Sequence, residues 1–175
     1  MNKFSIGSRC QEPSSEQLAV IAEEYKNGSL ITVMAQVVYL RGKLPKSKML
    51  LNFLGSCHIK LGNSEAAIES YKLILVNSPD DFNVHFTLAS LYMDIGSLEE
   101  ALLSFERVVA LNPSDSEAHN NLGTCWQMKN EFDKAIACYD RALGLDPNFV
   151  TAQNNLKIAV QAKADKDDGM INKAN

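Results

Sequence analysis

The chain has few aromatic residues, 7% of 175, and no excess of basic ones. Its net charge is -4 and its pI is about 5.4. Nucleic-acid binding asks for clustered Lys and Arg interleaved with stacking rings. No stretch combines the two, so no nucleic-acid partner is expected. Long hydrophobic runs are also missing. The most apolar stretch, Leu30 to Leu40, is broken by Thr32 and Gln36 and is far shorter than the roughly 20 residues of a membrane span. The first ten residues carry charge but no apolar core of signal-peptide length. Cysteine is scarce: Cys10, Cys57, Cys125 and Cys138 show no CxxC spacing, which argues against a zinc or redox pair. Free thiols without an export signal point to the cytoplasm, a reducing compartment. No phosphate loop, nucleophile elbow or zinc motif is present. No cofactor, no metal and no membrane association are expected.

What the chain does contain is a repeat. Four of its five prolines are Pro45, Pro79, Pro113 and Pro147, each 34 residues from the next. Gly28, Gly62 and Gly96 keep the same spacing, and Asn130 fills the next slot. Glycine adopts the left-handed conformation that ends a helix, and asparagine tolerates it best among the rest. Ala67, Ala101 and Ala135 follow in phase, as do Tyr71, Phe105 and Tyr139. So do the pairs Leu54-Gly55, Leu88-Ala89 and Leu122-Gly123. Proline ends a second helix and turns the chain toward the next repeat. The small residues let two helices approach, and the aromatic is expected to fill the gap between adjacent repeats. Leu98, Ala101, Leu102, Phe105 and Val108 follow helical spacing, and Ser97-Leu98-Glu99-Glu100 fits a capping box.

This pattern resembles the tetratricopeptide repeat, a helix-turn-helix unit of that length. Residues 116–149 carry Leu122-Gly123, Trp126, Ala135, Tyr139, Ala142 and Pro147, with His119 where the family prefers Trp. Residues 82–115 carry Leu88-Ala89, Tyr92, Ala101, Phe105 and Pro113, and residues 48–81 carry Leu54-Gly55, His58, Ala67, Tyr71 and Pro79. Residues 14–47 keep Gly28 and Pro45 but hold Val33 and Val37 in the alanine and aromatic slots, a degenerate first repeat. Residues 150–164 repeat the first helix alone. Lys157 stands in the glycine slot, as suits a polar capping helix. Residues 1–13 and 165–175 are expected to be disordered tails. The resemblance implies an all-α solenoid, a right-handed superhelix of antiparallel helix pairs.

It also implies a concave groove lined by the first helices. Carried onto this chain, the groove positions are Met49, Asn52, Phe53, Ser56 and Ile59, then Asn83, Phe86, Thr87, Ser90 and Met93. Asn120, Asn121, Thr124 and Gln127 follow, then Asn154 and Asn155 from the capping helix. The first ten include soft apolar side chains suited to adaptable contact. The last six are rich in amides, which both donate and accept and so pair with a peptide backbone of any sequence. Asn121 and Asn155, one repeat apart, resemble the asparagine ladder of O-linked N-acetylglucosamine transferases. Chaperone-tail binders of the family need a Lys/Asn/Arg clamp; here those positions hold Asn52, Phe53, Ser56, Asn83, Glu117 and Asn121.

The leading expectation is a non-enzymatic, cytoplasmic scaffold that binds an extended peptide or partner helix, with the ends of the stack open to a homo-oligomer. Two alternatives stand beside it. One is the recruiting module of a larger enzyme, since the layout resembles the N-terminal region of bacterial sulfotransferases and glycosyltransferases of this family. The other is a small secretion chaperone. His85 and His119 share a phase and read as packing residues, as do Cys57 and Cys125. Asp80-Asp81 and Glu99-Glu100 read as helix-start acids that oppose the positive dipole end.

Overall fold

The structure is a computed structural model that describes residues 12–174, with side chains placed to Asp168. The described residues form helices and no strands. They are α1 (Ser15–Lys26), α2 (Leu30–Lys43), α3 (Lys48–Lys60), α4 (Ser64–Leu75), α5 (Phe82–Asp94), α6 (Leu98–Leu111), α7 (Ser116–Met128), α8 (Phe132–Leu145) and α9 (Val150–Ala174).

The two turns of each repeat have different chemistry. Each first helix α3, α5 and α7 starts on a side-chain cap: Ser47, Asp81 and Asp115 accept from the backbone N–H three residues on. Each second helix starts on a residue with no side-chain cap bond. Backbone geometry does the work there. Gly28, Gly62 and Gly96 have φ of 74° to 77°, and Asn130 has φ 58°. Each left-handed residue lets the next N–H return to the carbonyl five residues back, as in Asn63 N to His58 O at 2.9 Å, Ser97 N to Tyr92 O at 2.8 Å and Glu131 N to Trp126 O at 3.0 Å. The capping box expected at Ser97 is therefore not formed. Ser97 has φ -82° and ψ 72° and makes no side-chain cap bond. A capping box does close α1, between Ser14 and Gln17.

The period also organises the packing between paired helices. A Cβ placed on Gly55 would lie 2.7 Å from the Tyr71 ring, and one on Gly123 would lie 2.7 Å from the Tyr139 ring. The aromatic thus first fills the space inside its own repeat, over its own glycine, rather than only the gap between repeats. Where Phe105 replaces tyrosine, Ala89 replaces glycine, and both are buried in one cluster. The hydroxyls of the tyrosines find partners on the first helix: Tyr71 lies 3.3 Å from Ser56 Oγ, and Tyr139 donates to Gln127 Oε1 at 2.9 Å.

The chain divides at Pro79–Asp80 into two compact units. In the first, Ile21, Val33, Val37, Leu40, Leu50, Leu54 and Cys57 form one buried cluster. In the second, Ala89, Ala101, Leu102, Phe105, Leu122 and Cys125 form one cluster, and Ala135, Tyr139 and Ala159 form another under α9.

Both ends differ from the sequence expectation. Residues 1–11 lie outside the described residues, but Glu12 and Pro13 are not part of a loose tail. Pro13 is buried. The Glu12 carboxylate accepts from Ser47 Oγ, from Lys48 N at 2.9 Å and from Met49 N at 3.3 Å. At the other end, α9 runs beyond residue 164 to Ala174 instead of giving way to a disordered tail. Lys163 pairs with Asp133, and Lys166 donates to Asn130 O at 3.0 Å while lying over the Phe132 ring. These bonds tie the second half of α9 to the start of α8. Lys157 is exposed on α9.

Candidate functional site

In the N-terminal unit α1 and α3 lie side by side, and their facing side chains enclose an open recess of about 390 Å³. Its lining is Leu18, Ala22, Tyr25, Met49, Asn52, Phe53 and Ser56. The walls are mainly hydrocarbon and ring, with the Asn52 amide and the Ser56 and Tyr25 hydroxyls among the lining residues. Tyr25 meets Phe53 edge-on, with ring centroids 6.1 Å apart, and the Lys60 ammonium sits 3.7 Å from the Tyr25 centroid. This cation–π contact holds the ring at the mouth of the recess. Four of the sequence-derived positions, Met49, Asn52, Phe53 and Ser56, come together here. Ile59 is exposed on the same helix but does not line the recess. Leu18, Ala22 and Tyr25 were not anticipated. They stand one repeat before Asn52, Ser56 and Ile59, so the same offset carried back into the worn first repeat identifies them.

In the C-terminal unit the predicted positions divide by how far the fold has already engaged them. Phe86 packs edge-on to Phe105 at 5.7 Å, and it and Met93 rest half-buried on that cluster. Thr87 and Ser90 donate their hydroxyls to carbonyls on their own helix, at 2.9 Å and 3.1 Å. Thr124 and Gln127 accept from Tyr139. Asn83 and Asn154 are exposed.

Asn120 is buried, 4% exposed, so its amide does not face a groove. It links the others: Asn155 Nδ2 donates to Asn120 Oδ1 at 3.0 Å, and Asn120 Nδ2 donates to Asn121 Oδ1 at 3.2 Å. Asn121 and Asn155 are the half-buried ends of this three-amide chain between α7 and α9. Asn121 keeps donors and Asn155 keeps an acceptor, the pair of functions that a peptide unit requires.

Among the groups that could suggest catalysis are His119 and three thiols. His119 is buried and its Nε2 lies 3.1 Å from Pro113 O. Cys57 and Cys125 are buried free thiols. Burial pushes the Cys125 and Cys138 thiols up to about 11, the opposite of an activated nucleophile. Among the described residues no group of three His, Cys, Asp or Glu side chains could hold a metal. Nor is any helix there long and apolar enough to cross a membrane.

Tetratricopeptide-repeat family profiles match residues 50–81, 89–127 and 116–149. None of the curated proteins matches the sequence. Several solved structures share the fold. The crystal structure of MamA superposes with a TM-score of 0.77 at 23% identity, over 83% of this chain and 85% of that one. YrrB, described as a TPR protein with an unusual peptide-binding site, gives 0.76 at 16% identity over 87% and 78%. The first TPR of Spaghetti (RPAP3), bound to the HSP90 peptide SRMEEVD, gives 0.62 at 28% identity over 66% and 92%. Together the profile matches cover more than half of the chain, and the left-handed turn recurs in all four helix pairs: the chain belongs to the tetratricopeptide-repeat family.

Proposed function

We propose that this chain works by binding, as a protein-interaction scaffold that receives an extended peptide or partner helix on the first-helix face. The observation that carries the reading is the α1–α3 recess, where Tyr25, Met49 and Phe53 form an apolar cup with Asn52 at its side. An aliphatic or aromatic side chain of the ligand fills the cup, and the Asn52 amide pairs with the adjoining backbone. Structures of this fold include one described as having a peptide-binding site and one bound to a peptide. The positions where the family resemblance implies a basic clamp for an acidic chaperone tail hold Asn52, Phe53, Ser56, Asn83, Glu117 and Asn121, so the ligand proposed is apolar rather than carboxylate-ended. Free Cys57, Cys125 and Cys138 fit work in a reducing compartment.

The test is affinity capture with mass spectrometry, comparing the native chain with Phe53→Ala and Met49→Ala. A bound peptide should lose about tenfold or more in affinity, the scale of one truncated anchor. Equal recovery on native and variant protein would refute the recess as the site.

The amide chain favours a second reading, the substrate-recruiting module of a larger transferase. Under it Asn121→Ala and Asn155→Ala weaken a peptide's binding whatever its side chains, while Phe53→Ala does not.

A further inference from the structure

The outer stripe of each second helix can be compared across the four repeats. In α4 it is Glu65, Glu69, Lys72 and Val76; in α6 it is Glu99, Leu103, Glu106 and Ala110; in α8 it is Asp133, Ala137, Asp140 and Gly144. All of these are exposed, and each stripe carries at least two charges. The same positions in α2 are Ile31, Ala35, Val38 and Gly42, with no charge at all. They are just as open to water: Ile31 is 82% exposed, Val38 59%, and the neighbouring Tyr39 64%. No charged side chain occurs between Leu30 and Leu40.

We infer that this face of α2 is the contact surface for a second copy of the chain, packed α2 against α2 in antiparallel fashion. The stripe follows the i, i+4, i+7, i+11 spacing of a two-helix seam, and it is complementary to itself. Turned end for end about its own midpoint, Ile31 falls opposite Gly42 and Val38 opposite Ala35. Every layer then sets a branched side chain against a small one, so the two helices approach closely. The uncharged seam places no like charges in contact, and antiparallel helices oppose their dipoles.

Area decides the strength. The 14-residue helix is about 21 Å long and presents a patch on the order of 400 Å². Two such patches bury on the order of 800 Å², below the roughly 1,600 Å² of a standard interface. The dimer is therefore weak and concentration-dependent, and the patch suits one helix rather than a broad partner.

The experiment is sedimentation across a micromolar concentration series, on the native chain and on Ile31→Glu/Val38→Lys. That variant installs the residue types that α4 holds at these positions, so helicity by circular dichroism should be unchanged. The native chain should dimerise as concentration rises, and the variant should dimerise at least roughly tenfold more weakly. A second measurement does not depend on the variant. In a Cys10→Ser background, a mixture of Ala35→Cys and Val38→Cys chains should form a disulfide-linked dimer in preference to either chain alone. A native chain that stays monomeric throughout the series, dimerisation indifferent to the double variant, or no preferred cross-link would each overturn the proposal.

Discussion

Glycine at residue 55 is set by a ring and not by a turn. Its Cβ would stand 2.7 Å from Tyr71, a ring that is almost wholly buried and bonded through its hydroxyl. Gly55→Ala should cost about 1–3 kcal/mol from overpacking, read as a shift in denaturant midpoint. Ala89 shows the relief available: it faces Phe105, with no hydroxyl to anchor. Gly55→Ala combined with Tyr71→Phe should therefore recover part of the loss. The thiols make a second prediction at this scale. Burial raises the folded Cys125 and Cys138 from an ordinary 9.0 to about 11. A group raised on folding adds stability that is complete below its unfolded value and is lost as pH climbs through the folded one. Unfolding midpoints should hold steady up to about pH 9 and fall between about 9 and 11, with Tyr71 and Tyr139, also raised by burial, adding to the upper part. A midpoint flat across that window would contradict the assignment.

At the scale of helices, the ends carry the predictions. Glu12 acts as a remote cap on α3, with its carboxylate on two backbone N–H groups and on the Ser47 hydroxyl. It also adds negative charge at the positive end of the helix dipole. Glu12→Gln should reduce stability by about 0.5–2 kcal/mol, the range of a lost cap. Amide exchange should quicken first in α1 and at the start of α3. The left-handed ends of first helices were legible in the glycine spacing, including the replacement by Asn130. The absence of a cap bond at Ser97 was not, because a capping motif states which residues could bond and not the ψ at which the turn holds them. The length of α9 was hidden for a similar reason. Lys163 and Lys166 read as part of a charged tail, and only the nearness of Asp133 and Asn130 makes them contacts.

At the scale of the whole molecule, helix pairs within each compact unit share their cores, so the stability of each unit is a sum of local terms. The two compact units divide at Pro79–Asp80, and the second holds its own clusters around Phe105 and Tyr139. A fragment spanning residues 80–175 should fold alone, with helical circular dichroism and a cooperative melt. Deleting α9 from it should lower that melt, because Tyr139 and Ala135 would lose the cover that Ala159 and Leu156 provide. A fragment that stays unfolded would show that the second unit depends on the first.

The sequence by itself determined the architecture, for a physical reason. The proline, glycine and alanine positions act through backbone conformation and close packing within one repeat, and such short-range constraints are written in spacing. It also determined that Met49, Asn52, Phe53 and Ser56 share a face, since a helix fixes which residues stand together. Only the tertiary structure decided which of those faces remain open. It buried Asn120 and made it the link between Asn121 and Asn155. It spent Thr124 and Gln127 on Tyr139, brought α1 across to complete the recess with Tyr25, and left Ile31 and Val38 in water. Each outcome depends on distances between residues 12 to 35 apart in the chain, or on the lack of a neighbour among the described residues, and a linear pattern records neither.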